Sequence, residues 1–504
     1  MTDNAGIPSR SQVNMAFIAA IVAVATIGGF LFGYDSGAVN GTQPGLKAAF
    51  HLDDAGLGFT VGSLLIGCFV GAFFAGTLAD RFGRRNVMRV AAVLFLGGAL
   101  VQGLAHDHTL FLIARLFGGM AVGAASVLSP AYISEVAPAN IRGRMTTVQQ
   151  VMIITGLTAA FLANYVLAAV AGQPGVAGDV PSLNPIWLDL EAWRWMYLAQ
   201  AVPAAIFLIA LLFIPESPRY LVSKARNEEA TRVLTALYGP EAATAKFTEI
   251  QATFSEDHRP RLADVVDKST TAKLVTYLGL PLPFFGFLIK GPIFRPIVWV
   301  GIMLAVFQQL VGINVIFYYG ATLWQLAGFT EADSLMINIV SGAVSIAACF
   351  LTIALIDRIG RKPLLLIGSA GMAVTLFVMV YAFSHATIDP ADAHKIVLTP
   401  GLGKVAVVAA NLYVIFFNVS WGPVMWVMLG EMFPNQIRGS ALAVAGFFQW
   451  FANYLIAQSF PVMAAGVGLA ASYTFYGVCA VISFFLVQRF IHETKGKELE
   501  AMEG

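Results

Sequence analysis

Long apolar stretches of similar length recur along the whole chain, with short polar stretches between them. Each comes close to the ~20 residues that an α-helix needs to cross a bilayer. Glycine and alanine are spread through them without the strict alternation of membrane β-strands, which favours helices. Twelve such stretches are present, near residues 15–38, 57–78, 87–105, 109–132, 146–171, 193–214, 296–320, 333–356, 363–383, 402–428, 440–463 and 470–490. The pattern therefore predicts an all-α membrane protein with twelve transmembrane helices.

The longest polar segment divides these helices into two groups of six. We therefore expect one six-helix bundle over residues 1–214 and a second over residues 296–491, followed by a short cytoplasmic tail over 492–504. The segment between the bundles, 215–295, alternates charge at helical spacing and predicts a cytoplasmic linker with short surface helices. Its last part, 274–289, is apolar but short and rich in proline, and we interpret it as an interfacial segment.

Three polar motifs occur in the same order in both halves of the chain. They pair "LADRFGRR" (78–85) with "LIDRIGRK" (355–362), "SEVAPANIRGR" (134–144) with "GEMFPNQIRGS" (430–440), and "PESPR" (215–219) with "HETKG" (492–496). Repeated six-helix bundles with a binding site at their interface are a transporter architecture. The repeat thus predicts two pseudo-symmetric bundles of the same topology.

Cationic residues gather in alternate loops, namely 81–89, 142–144 and 357–363, whereas loops such as 105–109 and 321–331 contain neither Lys nor Arg. Loops rich in Lys and Arg stay in the cytoplasm. We therefore expect both termini to be cytoplasmic.

Composition agrees with a membrane protein, because 58% of the 504 residues are hydrophobic and 12% are charged, against about 25% charged in soluble domains. The net charge of +1 argues against nucleic acid as a partner. The three cysteines, Cys68, Cys349 and Cys479, lie in apolar stretches without paired spacing and are interpreted as packing residues. The sequence contains no phosphate loop, metal-ligand spacing or nucleophile beside a base. We predict neither an enzyme nor a bound cofactor or metal, and we expect a monomer.

Two ionisable residues fall well inside the apolar stretches, Asp35 in "GGFLFGYDSGAVNG" and Arg115 in "LFLIARLFGG". Asp35 lies near the outer end of the first predicted helix and Arg115 near the outer start of the fourth, so the two are at similar depth and can pair. One reading is a permanent structural salt bridge, since such pairs occur without function. The other is a proton switch, in which a motion that separates Asp35 from Arg115 lets the acid take up a proton.

Uncharged amides and tryptophans also occur inside the predicted helices. They are Gln150, Gln308, Gln309, Asn314, Asn418, Gln449 and Asn453, with Trp421, Trp426 and Trp450. A neutral sugar needs groups that both donate and accept hydrogen bonds, and aromatic faces for its C–H bonds. The alternative is that each amide simply joins helices. The crowding of three amides in "QQLVGIN" favours binding.

These motifs identify a family resemblance. From "GGFLFGYDSGAVNG" through "PESPRYL", "QQLVGINVIFYYG" and "SWGPVMWVMLGEMFPNQIRG" to "HETKG", the chain resembles the sugar porters of the major facilitator superfamily. The match is nearest to bacterial proton-coupled xylose and hexose symporters, which are related to facilitative glucose transporters. The resemblance implies the major facilitator fold, a monosaccharide and protons as partners, and a place in the bilayer of the bacterial inner membrane.

The resemblance also assigns residues to the sugar site. It places on the sugar or at the edge of its pocket Gln150, Gln308, Gln309, Asn314, Trp421, Gln449, Trp450, Phe32 and Tyr318. Ser345 stands where relatives usually have Asn, and because its side chain is shorter we expect it to reach the sugar only through water. Leu157 and Phe317 occupy positions where xylose symporters have Gln and Leu, and this favours a hexose. Coupled relatives keep the acid at Asp35, and uniporters usually have Asn there.

Acids and cations of the repeated motifs are expected to form a gating network on the cytoplasmic face. By resemblance it holds the outward-open state, and it comprises Asp80, Arg84, Glu135, Arg142 and Glu216 with Asp357, Arg361, Glu431, Arg438 and Glu493. Topogenic charge alone would explain the arginines but not the acids. We predict a proton-coupled symporter of a monosaccharide, glucose or a similar hexose rather than xylose. The alternatives are a uniporter with a structural Asp35 and a sugar sensor that does not transport.

Overall fold

Helices make up nearly all regular structure in the computed structural model, which describes residues 13–138, 142–172, 180–256, 296–389, 392–433 and 438–495. The first half contains α1 (Met15–Phe50), α2 (Asp54–Phe82), α3 (Arg84–Leu104), α4 (His108–Val136), α5 (Arg142–Ala171), α6 (Ala192–Leu198) and α7 (Ala201–Ala210). Three short helices follow, α8 (Pro218–Ser223), α9 (Asn227–Tyr238) and α10 (Pro240–Glu256). The segment predicted to be interfacial, 274–289, lies outside the described residues.

The second half repeats the arrangement of the first. It contains α11 (Pro296–Leu310), α12 (Ile313–Leu326), α13 (Glu331–Ile359), α14 (Arg361–Ser384), α15 (Pro400–Val419), α16 (Trp421–Met432), α17 (Arg438–Gly466) and α18 (Gly468–Phe490). Three predicted spans therefore consist of two consecutive helices each: α6 with α7, α11 with α12, and α15 with α16.

Within the described residues, eleven helical segments are long and apolar enough to cross a membrane. The helix α17 is not among them, although its 29 residues extend about 43 Å. It carries amides at positions 449, 453 and 458, two of which are buried. With α17 the spans number twelve, and the prediction of an all-α membrane protein is confirmed.

Two small β-hairpins were not predicted. Strands β1 (Pro185–Trp187) and β2 (Leu190–Glu191) pair antiparallel just before α6. Strands β3 (Thr387–Asp389) and β4 (Asp392–Val397) pair antiparallel between α14 and α15. They fall in the polar loops of the longer connections, where the apolar pattern carries no information.

Helix packing has the same plan in both halves. In the first half α1 packs on α5, α2 on α4, and α3 on α6 and α7. In the second half α11 packs on α17, α13 on α15, and α14 on α18. This equivalence is the pseudo-symmetry that the repeated motifs predict. The halves meet where α1 packs on α12, α2 on α17 and α5 on α13.

The first helix is longer than the sequence pattern predicts. The apolar stretch ends near residue 38, but α1 continues to Phe50 through Asn40, Gln43 and Pro44. The polar residues interrupt the hydropathy, yet Asn40 and Gln43 are buried because the second half supplies their hydrogen-bond partners. Asp35 therefore lies near the middle of its helix, and its predicted place near the helix end is wrong.

A glycine separates α11 from α12. Gly312 has φ of 86°, a left-handed conformation that residues with a Cβ rarely adopt. A Cβ at this position would also lie 2.7 Å from the Tyr476 ring. The hydroxyl of Tyr413 donates to the carbonyl of Val311 at 2.7 Å, which satisfies a carbonyl at the break. The break brings residues 308–309 and 314–318 to one place.

Candidate functional site

A continuous chain of hydrogen bonds joins six polar side chains at the centre of the second half. Both Gln449 and Gln309 donate to Oε1 of Gln308, each at 3.2 Å. Asn314 donates to Oε1 of Gln309 at 2.5 Å and to Oδ1 of Asn453 at 2.8 Å. Asn453 in turn donates to the hydroxyl of Tyr318 at 3.1 Å. We call these six residues the amide chain.

The amide chain connects the two broken helices of the second half. Nε2 of Gln308 donates to the carbonyls of Trp421 and Gly422 at 3.0 and 3.3 Å, and both carbonyls belong to the first turn of α16. Because α11 and α12 meet at one break and α15 and α16 at the other, the amides lie where the backbone is irregular. Irregular backbone at membrane depth is found where it lines a site or a cavity.

One polar atom of the amide chain is left over. Oε1 of Gln449 is buried and has no hydrogen-bond partner in the described part of the chain. An unpaired buried acceptor costs ~1–3 kcal/mol, which a ligand hydroxyl would offset. The remaining amides bond to one another, and each can both donate and accept. The cluster is therefore suited to a neutral ligand with several hydroxyl groups.

Aromatic side chains from the two halves meet next to Gln449 of the amide chain. The ring of Phe32 on α1 contacts the ring of Trp450 on α17, with centroids 5.5 Å apart. The indole N–H of Trp421 is already used within the second half, since it donates to Oγ of Ser369 at 2.9 Å. Trp421 is fully buried, so its carbonyl is the group that contacts the amide chain.

Two further predicted sugar residues, Gln150 and Ser345, lie outside the amide chain. Gln150 is half-buried on α5, in the opposite half from the amide chain. Ser345 on α13 donates to the carbonyl of Ser341 at 2.7 Å and accepts from Nδ2 of Asn418 at 3.2 Å. Ser345 thus lies in the contact between α13 and α15, and it has no hydrogen bond to the amide chain.

Asp35 and Arg115 are both buried, at 2% and 1% exposure, but no ion pair joins them. Arg115 donates from Nε to the carbonyl of Thr60 at 3.0 Å and from Nη2 to that of Val61 at 3.1 Å. Asp35 keeps one oxygen, Oδ2, without a hydrogen-bond partner among the residues that the structure describes. The two charges still interact electrostatically. The pair is therefore separated in this state.

Two glutamines beside this pair were missed by the sequence analysis. Gln102 accepts from Nη1 of Arg115 at 3.4 Å, and Gln200 lies close enough to Asp35 to interact with its carboxyl group. Both are buried. The signal was present, because an amide inside an apolar stretch needs a partner. Without the fold, however, nothing distinguishes them from amides that join helices.

A narrow crevice, too small to hold a water molecule, lies between the residue that follows Asp35 and the last member of the amide chain. Ser36, Arg115 and Tyr318 all line it. Ser36 directly follows Asp35, and its hydroxyl is buried without a hydrogen-bond partner. Tyr318 is the last member of the amide chain. The structure therefore brings the predicted proton group and the predicted sugar group to adjoining positions.

At the Arg-rich end of the first half, Arg84 pairs with two acids. Its guanidinium lies 2.9 Å from Asp80 and 3.3 Å from Glu135. Glu216 accepts the backbone N–H groups of Arg84 and Arg85 at 3.0 and 3.2 Å. Glu216 therefore caps the start of α3, where N–H groups have no partner within the helix, and among the described residues it forms no ion pair.

The second half repeats this arrangement. The guanidinium of Arg361 lies 2.9 Å from Glu431, and Glu493 accepts the N–H groups of Arg361 and Lys362 at 3.0 Å each. The network pairs that the structure describes thus join residues of the same half. The side chains of Arg142, Asp357 and Arg438 lie outside the described part of the chain.

The acids of this end differ in their protonation equilibria. Burial raises the pKa of Glu135, while Arg84 and Ser217 act in the opposite direction. For Glu493, burial also acts to raise the pKa, but bonds from the N–H groups of Arg361, Lys495 and Lys362 outweigh it and lower the pKa overall. Glu493 is thus held as a carboxylate.

Comparison with known proteins shows similarity to sugar transporters along nearly the whole chain. A family model described as "Sugar (and other) transporter" matches residues 21–504. The glucose transport protein of Synechocystis sp. is 42% identical over 495 residues, which cover 98% of this chain and 99% of that protein. The D-xylose-proton symporter of Escherichia coli (strain K12) is 36% identical over 527 residues, covering 98% and 97%.

Solved structures of sugar transporters also resemble this chain over nearly its whole length. The xylose transporter XylE from Escherichia coli, in a partially occluded inward-open conformation, superposes with a TM-score of 0.76 at 34% identity, covering 96% of this chain and 100% of that one. The same symporter bound to 6-bromo-6-deoxy-D-glucose gives a TM-score of 0.72 at 35% identity, covering 97% and 99%.

Proposed function

The chain belongs to the family of sugar transporters, and on this premise we propose that it moves a monosaccharide and a proton together into a bacterial cell by alternating access. The observation that carries the proposal is the position of the amide chain beside a buried acid with an unpartnered oxygen. One group is suited to a neutral sugar and the other to a proton. The proton is the coupling ion, and no cofactor takes part.

When the sugar binds, its hydroxyl groups replace some of the hydrogen bonds that the amides make with one another. Gln308, Gln309 and Asn314 exchange bonds with one another for bonds to hydroxyl groups, and Oε1 of Gln449 gains the donor that it lacks. Phe32 and Trp450 cover the C–H face of the ring. Both halves contribute to the enclosure, so sugar binding favours their approach.

The proton binds to Asp35. Arg115 is held by carbonyls of α2 and does not neutralise Asp35 by direct contact. A buried carboxylate without a paired cation is costly, so protonation lets α1 move with the loaded sugar site. Release of the proton to the cytoplasm resets the carrier.

The Arg-rich end of the molecule faces the cytoplasm in this proposal, and both termini lie there. The hydrogen bonds that cross between the described halves lie at the opposite end, for example from Nε2 of Gln458 to the carbonyl of Ala55 at 3.1 Å. The side facing away from the cytoplasm, called the outer side below, is therefore closed. The structure therefore corresponds to a state of the carrier in which external sugar cannot enter until the outer side opens.

The sugar is glucose or a similar hexose. Leu157 and Phe317 are buried near the contact of the two halves, at 3% and 7% exposure, and neither provides a polar group for a hydroxyl. The relative from Synechocystis sp. is named for glucose and the symporter from Escherichia coli for xylose. The higher identity to the former supports the hexose.

The test uses purified protein in liposomes with labelled D-glucose, D-xylose and L-arabinose. With an inward proton gradient, we expect D-glucose to accumulate above its external concentration. Collapse of the gradient by a protonophore should reduce this to equilibration. Equilibration that ignores the gradient would identify a uniporter. Binding of sugar without any flux would identify a sensor.

A further inference from the structure

The amide of Asn40 inserts into the backbone of a helix in the other half. Its Nδ2 donates to the carbonyls of Phe317 at 2.9 Å and Ile316 at 3.2 Å. Its Oδ1 accepts from the backbone N–H of Ala321 at 2.8 Å. The carbonyl of residue 317 and the N–H of residue 321 are the two groups that pair with each other in an uninterrupted α-helix.

A second amide contacts the same helix one turn later, through a carbonyl and a side-chain hydroxyl. Gln43 donates to the carbonyl of Tyr318 and accepts from the hydroxyl of Thr322 at 2.5 Å. Side chains that insert into a helical hydrogen-bond ladder bend the helix. The insertion of Asn40 and the contact of Gln43 in the next turn together hold α12 against α1. We call Asn40, Gln43 and their partners on α12 the outer clamp.

The side chains around the outer clamp are closely packed. Asn338 of α13 also donates to Oδ1 of Asn40 at 2.8 Å, so three helices meet at this amide. A Cβ at Gly320 would lie 2.4 Å from Oδ1 of Asn338 and 3.1 Å from Nδ2 of Asn40. Asn40 itself is fully buried. The contact thus requires glycine at position 320 and an amide at position 40.

The outer clamp joins the helix that carries the proton group to the helix that carries part of the sugar group. Asp35 precedes Asn40 by little more than one turn of α1, and Asn314 and Tyr318 lie on the clamped helix. Movement of α1 away from α12 must break every bond of the clamp. We propose that Asn40 is a positioning residue that holds the outer side closed and links the position of α1 to that of the sugar-binding helix. The inference rests on the proposed function for its assignment of sides.

A reporter cysteine measures opening without any sugar. Val39 is buried and lines the crevice beside Tyr318, so Val39→Cys reacts with a membrane-impermeant maleimide only when the outer side opens. The background replaces the three native cysteines by Ala. In intact cells, we expect Asn40→Ala to increase the labelling rate about tenfold, as the loss of several buried hydrogen bonds predicts.

Asn164 supplies the matched control. Its amide also donates to the backbone of α1, to the carbonyls of Gly37 and Ala38 at 3.0 and 3.4 Å, but both partners belong to the first half. Asn164→Ala should lower thermal stability and leave the labelling rate within about twofold of the parent. Equal labelling of the Asn40→Ala variant and its parent would overturn the proposal. An equal increase in both amide variants would also overturn it.

A milder variant guards against loss of folding. Thr322→Val keeps the shape of the side chain and removes only the donor to Gln43, so we expect a smaller increase in labelling. Asn40→Ala should also lower the external half-saturation concentration for D-glucose, because a larger share of carriers faces outward. Failure of the unmodified protein to transport would reject the proposed function, whereas the labelling result in the absence of sugar decides the clamp.

Discussion

Asp35 and Arg115 are equally buried but differ in how their polar atoms are satisfied. Each guanidinium nitrogen of Arg115 donates a hydrogen bond, to Thr60, Val61 or Gln102. Asp35 retains an oxygen without a partner. The cation is thus fixed in place, and the acid is the member whose charge can change. A permanent salt bridge would pair both directly, so this geometry favours the proton switch.

Replacement of the acid should separate coupling from binding. Asp35→Asn keeps the size of the side chain and removes the ionisable group, so it should abolish uphill uptake of D-glucose in proteoliposomes. Sugar counterflow needs no proton gradient and should continue at a comparable rate. A variant that still concentrates sugar would show that another group carries the proton.

Substitutions in the amide chain should change the half-saturation concentration for D-glucose much more than a substitution of Ser345. Gln449→Leu removes the unpartnered acceptor and one bond of the amide chain, and we expect the half-saturation concentration for D-glucose to rise about tenfold. Ser345→Ala loses one hydrogen bond within α13 and one to Asn418 on α15, but none to the amide chain, so the half-saturation concentration should stay within about twofold. Uptake measured over a range of sugar concentrations checks both. A rise in the half-saturation concentration well above twofold for Ser345→Ala would show that Ser345 contributes to sugar binding.

At the scale of single helices, the two halves use one capping arrangement. The starts of α3 and α14 each follow a glycine and receive a carboxylate from a distant segment, Glu216 and Glu493 respectively. A carboxylate at a helix start satisfies free N–H groups and interacts favourably with the helix dipole. Each acid therefore fixes the segment after the last helix of its bundle to the Arg-rich loop.

The capping carboxylate of Glu493 makes stability depend on pH. Because its pKa is lower in the folded protein, the carboxylate stabilises the fold at pH above about 4.5. This contribution is lost as the pH falls through the folded pKa. Glu493→Gln should lower the melting temperature in detergent by a few degrees at pH 7, and the difference from wild type should shrink as the pH falls below about 4.5 and vanish below the folded pKa.

An exposed acid provides the comparison for that experiment. Glu249 pairs with Lys246 on the surface of α10, and exposed pairs contribute little. Glu249→Gln should therefore melt like the wild type at pH 7. A Glu493→Gln difference that persists at low pH would mean that shape, not charge, carries the effect.

At the scale of the whole molecule, the ion pairs within each half and the hydrogen bonds between the halves are found at opposite ends. The described ion pairs of the Arg-rich end join residues within a half, whereas the outer clamp and the bond from Gln458 to Ala55 join the two halves. Each half can therefore move as a unit while its own network stays intact. Alternating access then requires that the outer contacts break and that contacts form at the other end.

The sidedness of the molecule can be tested directly. Leu188 at the tip of the β1–β2 hairpin is 83% exposed, and Glu228 is exposed on α9. In intact cells, an impermeant maleimide should label Leu188→Cys and leave Glu228→Cys unlabelled until the membrane is opened. Labelling of Glu228→Cys in sealed cells would reverse the assignment of sides.

The sequence by itself determined the helices, their division into two repeated halves and the kinds of side chain available for a sugar and a proton. These features depend on local hydropathy, spacing and residue chemistry. Only the tertiary structure decided which polar groups meet. It continued α1 past Asn40 to Phe50, directed Ser345 to Asn418, and made Glu493 a helix cap. The physical reason is that a buried amide or acid is satisfied by whatever group the fold brings within 3 Å or so, and for Asn40 that partner lies 277 residues away along the chain.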